Sequence, residues 1–332
     1  MRRKIIITFA VLFTLVLGVS NYSAGATDYP TRAITLIVPY NPGGSTDPIS
    51  RQYATQLEKI LPGNVNVENR PGGAGSIGLG AVIRAKPDGY TLGLGTNSIL
   101  GYQPLIHSGI AWKTTNDYQS IVKLMTLPNV LTVRADAPWK TFEELMADAR
   151  KNPRKIRVGV PALRTGSDLD IQQFNKLEGV EFLTVPFTGG SGEASIALLG
   201  GRIEAQAGPG ISNLGLVQAG KLRALAVFKE GKYKPFPEAG PAYKTGSDAS
   251  MPSMYCVIAP KGMPRDVLDK LVTASLQLVR SEEWIKFAEL RGSSEIDVKG
   301  PEMLKAELDQ YTKRYDEVNK FIDKSGALAP KK

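Results

Sequence analysis

Apolar residues recur along this chain in two alternating patterns. Short continuous runs such as Ile34-Thr35-Leu36-Ile37-Val38 and Tyr90 to Leu94 have strand length and no helical period. Between them lie stretches with apolar residues three or four apart, as in Ile49, Tyr53, Leu57 and Ile60, or Ile171, Phe174 and Leu177; these predict helices. Val65-Asn66-Val67, Ile156 to Val160, Ile203 to Ala207 and Leu222 to Phe228 extend the strand set, and Glu181 to Val185 opens another unit. Ile77 to Arg84 and Thr141 to Lys151 extend the helix set, the latter with Thr141 and Glu144 spaced as a capping box. Near the end, Leu304, Leu308, Tyr311, Tyr315, Val318 and Ile322 form one apolar seam. That seam is too short for a coiled coil and predicts a helix packed on the body of the protein. Continuous strands alternating with helices predict an α/β protein with parallel sheets covered on both faces. Ligands on such sheets sit beyond the carboxyl ends of the strands.

The loops at those ends are unusual. Strand Ile34 to Val38 feeds Pro39-Tyr40-Asn41-Pro42-Gly43-Gly44-Ser45-Thr46-Asp47-Pro48, and a helix comes next. Glycines and hydroxyls where a strand hands over to a helix direct backbone N–H groups and the positive helix end at one spot, which suits an anion such as a carboxylate. Asp47-Pro48 alone also reads as a helix N-cap and first helical residue. Comparable loops recur at Gly95-Thr96-Asn97-Ser98, Arg164-Thr165-Gly166-Ser167-Asp168, Thr188-Gly189-Gly190-Ser191-Gly192 and Gly208-Pro209-Gly210.

The first 26 residues carry a different signal. Arg2-Arg3-Lys4, an apolar run from Ile5 to Val19 and the small residues Ala24-Gly25-Ala26 predict an export signal cleaved after Ala26. The chain beyond Ala26 is long enough for two domains. Losing three basic residues lowers the net charge from +9 to +6, compatible with an anionic ligand, and no basic run interleaved with aromatics points to nucleic acid. Cys256 is the single cysteine and His107 the single histidine, which excludes an internal disulfide and a histidine-based metal cluster. Gly73-Ala74-Gly75-Ser76-Ile77-Gly78 matches a dinucleotide fingerprint, but Gly89 to Gly101, where the ribose partner belongs, contains no acid. Gly189-Gly190-Ser191-Gly192-Glu193 fails as a nucleophile elbow at its last position. No cofactor and no catalysis are expected.

Several motifs occur in a telling order: Tyr29-Pro30, Val38-Pro39-Tyr40 through Gly43-Gly44-Ser45-Thr46-Asp47, Val67-Glu68-Asn69-Arg70-Pro71-Gly72-Gly73 through Gly78, and Pro87-Asp88-Gly89-Tyr90-Thr91-Leu92. In them the chain resembles the Bug family of periplasmic solute-binding proteins, which serve tripartite tricarboxylate transporters. The resemblance implies a two-lobe periplasmic binding protein of type II, the Venus-flytrap fold, with two hinge crossovers. Domain 1 would comprise 27–127 and 255–332, and domain 2 the inserted segment 128–254. It implies a periplasmic monomer that takes a small organic carboxylate and delivers it to membrane transporter subunits. The matching positions in the first lobe are Tyr40, Gly43, Gly44, Ser45, Thr46 and Asp47, with Thr96, Asn97 and Ser98 closing the carboxylate site. The second lobe would contribute Arg164, Thr165, Gly166, Ser167, Gly189 and Gly208. The chain departs from the family pattern at Arg164, at Thr188 where a lysine is common, and at Gly208-Pro209-Gly210. Arg164 either pairs with a second carboxylate or faces solvent. Asp168 repels an anion unless it only caps its helix. A binding protein that reports to a membrane receptor, or an exported hydrolase on the same scaffold, are the alternatives.

Overall fold

The computed structural model describes residues 28–243, 249–293 and 297–323; the expected export signal lies outside them. The elements in chain order begin with β1 (Ile34–Val38), α1 (Thr46–Leu57), β2 (Val65–Asn69), α2 (Ser76–Ile83), β3 (Thr91–Thr96), α3 (Gln103–Ile106) and β4 (Tyr118–Leu127). Next come β5 (Asn129–Arg134), α4 (Phe142–Lys151), β6 (Arg157–Val160), α5 (Gly166–Glu178), β7 (Leu183–Pro186), α6 (Ser191–Leu199), β8 (Ala205–Pro209), α7 (Leu214–Gln218), β9 (Leu222–Val227) and β10 (Gly240–Pro241). The chain finishes with β11 (Ser253–Pro260), α8 (Arg265–Val279), α9 (Glu282–Leu290) and α10 (Pro301–Asp323).

These strands form two sheets, of order β2-β1-β3-β11-β4 and β10-β9-β5-β8-β6-β7. Neither is purely parallel, although the apolar runs predict parallel sheets. β11 runs antiparallel to β3 and β4, and β5 runs antiparallel to β8 and β9. The exceptions have one cause. β4 leaves the first sheet at its carboxyl edge and continues through Pro128 into β5, which therefore meets the second sheet from that sheet's carboxyl edge. β11 makes the return journey and enters the first sheet the same way round. The carboxyl edges of both sheets consequently face each other.

Each sheet is covered on both sides, as the near-continuous apolar strands require. On β1, Leu36 packs with Ile49, Tyr53 and Leu57 of α1 and Leu271 of α8. Its neighbour Ile37 turns to the other face, against Leu79, Val82, Leu304 and Leu308. In the second lobe, Val133, Val158 and Val160 pack on Ile171 and Phe174. The α10 seam buries Leu304, Leu308, Tyr315, Val318 and Ile322, while Tyr311 is only partly covered. At α4, Thr141 accepts the Glu144 N–H as expected, but the Glu144 carboxylate reaches back to Lys140 N–H, one residue upstream of the reciprocal position.

Candidate functional site

Between the facing edges lies a narrow, partly open cavity of about 30 Å3, room for only a few waters. The first lobe supplies the loop after β1. Gly43 takes a left-handed turn (φ 89°), which puts Gly44, Ser45 and Thr46 at the mouth of α1 against the cavity, beneath Tyr40. Ser45 occupies the N-cap position, and its hydroxyl accepts from Tyr255 OH at 2.8 Å. After β3, Thr96 and Ser98 join the lining with their hydroxyls 3.1 Å apart.

The second lobe presents two more helix starts. Thr165 caps α5 by accepting the Asp168 N–H at 3.4 Å, and Ser167 lines the cavity in the first turn of that helix. Gly190 and Ser191 bring the mouth of α6 to the same space, and Pro161 and Pro209 complete that wall. Ser253 and Tyr255 of the return strand form the rest. Three helix N-termini therefore converge on one small volume, each carrying a partial positive charge of about +0.5. No charged side chain is among the lining residues. Burial holds the phenols of Tyr40 and Tyr255 well above their usual pKa, so both stay neutral donors.

The structure thus brings Tyr40, Gly44, Ser45, Thr46, Thr96, Ser98, Thr165 and Ser167 together around the cavity. The other seven expected residues do not line it. Gly43 only shapes its turn. Asp47 is neither the cap nor a wall: its carboxylate pairs with Arg51 and accepts from the Asn69 amide. The Asn97 side chain grips the return strand, donating to Pro252 O and accepting from Met254 N–H. Arg164 turns away to Tyr102 and Asn319 of the first lobe. Gly166 is a spacer, since a Cβ there would stand 2.4 Å from Met251 O. Gly189 and Gly208 sit one residue short of the lining positions Gly190 and Pro209. Asp168 is fully buried and accepts from Arg164 N–H and the Gln172 amide, so no acid faces the cavity from this loop; burial raises its pKa.

Sequence reasoning did not pick Pro161, Gly190, Ser191, Pro209 or the hinge residues Ser253 and Tyr255 as site residues. Ser191 was visible as the hydroxyl opening a helix after two glycines; Tyr255 gave no local signal. The fingerprint-like glycines have a packing role. A Cβ at Gly75 would meet Ile99 at 2.5 Å, and one at Gly78 would meet Arg70 O at 2.7 Å.

A family model described as "Tripartite tricarboxylate transporter family receptor" matches residues 49–320. This chain belongs to that receptor family. Among its relatives, a UPF0065 protein of Cupriavidus necator is 34% identical over 249 residues, 75% of each chain. A UPF0065 protein of Bordetella pertussis is 29% identical over 280 residues, covering 84% of this chain and 86% of the relative. The structure of the periplasmic binding protein BugD superposes with a TM-score of 0.83 at 26% identity, over 89% of this chain and 99% of that one. A Rhodopseudomonas palustris protein solved with adipate gives 0.81 at 27% identity, over 89% and 98%. The receptor chain therefore has the two-lobe periplasmic binding-protein fold, and its interlobe cavity lies at the carboxyl edges of both sheets.

Proposed function

We propose that this receptor captures a small organic carboxylate between its lobes in the periplasm and delivers it to membrane transporter subunits. The observation that carries the reading is the convergence of α1, α5 and α6 N-termini, with hydroxyls and no charged side chain, on one narrow interlobe cavity. Oriented N–H groups and helix ends can hold a carboxylate without a counter-charge, because they are already fixed in place before the anion arrives. A similar protein, solved with adipate, supports the same ligand class.

In this reading one carboxylate end sits against Gly44, Ser45 and Thr46, braced by Thr96, Ser98 and Tyr255. Thr165, Ser167 and Ser191 sort the rest of the molecule. The lobes are residues 27–127 with 255–332, and 128–254, hinged where β4 runs into β5 and where β11 returns. Closure is driven by contacts that only the closed state makes. The protein acts as a monomer after cleavage behind Ala26, and no bond is made or broken.

The test is a thermal-shift screen of Thr27 to Lys332 against small carboxylates and uncharged controls. A ligand at a hundredfold over its Kd stabilises the fold by about 2.7 kcal/mol, a shift of several degrees in a chain of this size. A shift confined to a few acids is expected. No shift with any acid, in protein that native mass spectrometry shows to be empty, would overturn the reading.

A further inference from the structure

Apart from the cavity walls, the two lobes touch at places where no ligand would reach. One contact lies at the mouth, where Asn41 N–H donates to Gly189 O at 3.1 Å. Further along the interface Tyr233 OH donates to Gly292 O at 2.7 Å, and beside α10 Lys176 donates to Phe321 O and Arg314 to Ser250 O. Arg164, from the β6–α5 loop, donates through Nη1 to Tyr102 OH at 2.7 Å and to Asn319 Oδ1 at 2.5 Å. Tyr102 OH donates to the same Asn319 oxygen at 2.7 Å, which closes a three-membered polar cluster between the lobes. Beneath it, Leu169 of α5 is fully buried among Tyr102, Tyr315, Val318 and Ile322.

The backbone is bent to allow this. Arg164 is a non-glycine residue in the left-handed region, with φ 62°. Such a conformation persists only where surrounding contacts fix it. Here the fully buried Asp168 does so, accepting the Arg164 N–H at 2.7 Å. The loop is pinned from below while the guanidinium is aimed across to the first lobe. The same loop positions Thr165 and Ser167 in the cavity wall, so whatever holds Arg164 also holds that part of the wall.

We infer that Arg164 is a positioning residue, a latch that holds the ligand-free receptor closed through Tyr102 and Asn319 without touching the ligand. The inference takes the meaning of closure from the capture reading but does not depend on which ligand is taken. A latch that steadies the closed form slows release of a bound ligand and, so far as the empty receptor is closed, slows uptake as well.

The experiment is therefore done without ligand. Lys86→Cys and Lys151→Cys place spin labels on exposed positions, one in each lobe, and the fully buried Cys256 stays unlabelled. Pulsed EPR then gives the interlobe distance distribution. The parent is expected to show a closed population. Arg164→Ala should raise the open-to-closed ratio about tenfold, the scale of a hydrogen bond from a charged donor. Tyr102→Phe keeps the ring and cuts the same contact from the other lobe, so it should shift the ratio in the same direction. It also gives the answer should the alanine variant not fold. A parent that sits wholly open, or variants whose distributions superpose on the parent's, would overturn the latch. A failed carboxylate screen leaves this measurement intact, so the two readings fail separately.

Discussion

Gly192 offers a substitution whose effects on stability and on binding should have opposite signs. It lies in the first turn of α6, outside the left-handed region, where alanine is favoured over glycine by about 0.5–1 kcal/mol. Across the mouth of the cleft, however, a Cβ on Gly192 would stand 2.7 Å from Gly43 C, 2.8 Å from Gly43 O and 3.0 Å from Gly44 N. All three atoms are backbone, and none can rotate aside. The lobes must part by several tenths of an ångström, and overpacking of this kind costs about 1–3 kcal/mol. The cost falls on the closed state alone. Gly192→Ala should therefore keep or slightly raise the melting temperature of the empty protein while weakening carboxylate binding by about 5- to 150-fold. Gly215→Ala is the control, because nothing lies within 4 Å of a Cβ there. Melting curves and isothermal titration with the acid found in the screen read both quantities. Unchanged affinity would refute the claim that these loops meet when the receptor closes. A joint fall in stability and affinity would mean that the clash is within the folded lobe.

Other substitutions test the remaining parts of the site. Tyr255→Phe removes the donor to Ser45 and should cost about 1 kcal/mol of binding, roughly fivefold in Kd, by titration. Lys123 is fully buried and paired at 2.8 Å with Asp297 and with Glu307, so Lys123→Ala should destabilise the first lobe by about 3–5 kcal/mol in urea denaturation; a loss below about 1 kcal/mol would show the pair to be dispensable. Burial raises the Asp170 carboxyl to about 7, against the opposing hydrogen bonds of the Asn129 amide, Met251 N–H and Tyr243 OH. A carboxyl whose folded pKa is raised stabilises the fold at low pH and loses that contribution as pH climbs from about 4 to about 7. The protein should thus be about 2–3 kcal/mol more stable at about pH 5 than at about pH 8 from this group. Asp170→Asn should flatten that slope, and a slope that survives it would assign the effect elsewhere.

The parts of the candidate site that could be read from the sequence are those in which the backbone shapes the cavity. Glycine and hydroxyl residues between a strand and a helix have few roles other than shaping a loop and directing N–H groups. Gly44, Ser45 and Thr46 accordingly face the cavity, as do Thr165 and Ser167. The alternation of apolar runs and helical periods likewise indicated the α/β class, but not the antiparallel strands. Those arise because β4, β5 and β11 pass between the sheets, and a strand's direction relative to a distant neighbour has no local signature. Charged side chains were misread for a related physical reason. Asp47 and Arg164 sit in the right loops, yet a long or charged side chain goes wherever its charge is best satisfied, and here other partners are closer. Asp47 finds Arg51 one turn along its own helix. Arg164 finds a tyrosine and an asparagine that lie 62 and 155 residues away in the chain. A site built on helix ends has no need of either charge. Removing both from the cavity leaves the three N-termini as its dominant electrostatic feature, and it frees Arg164 to act between the lobes.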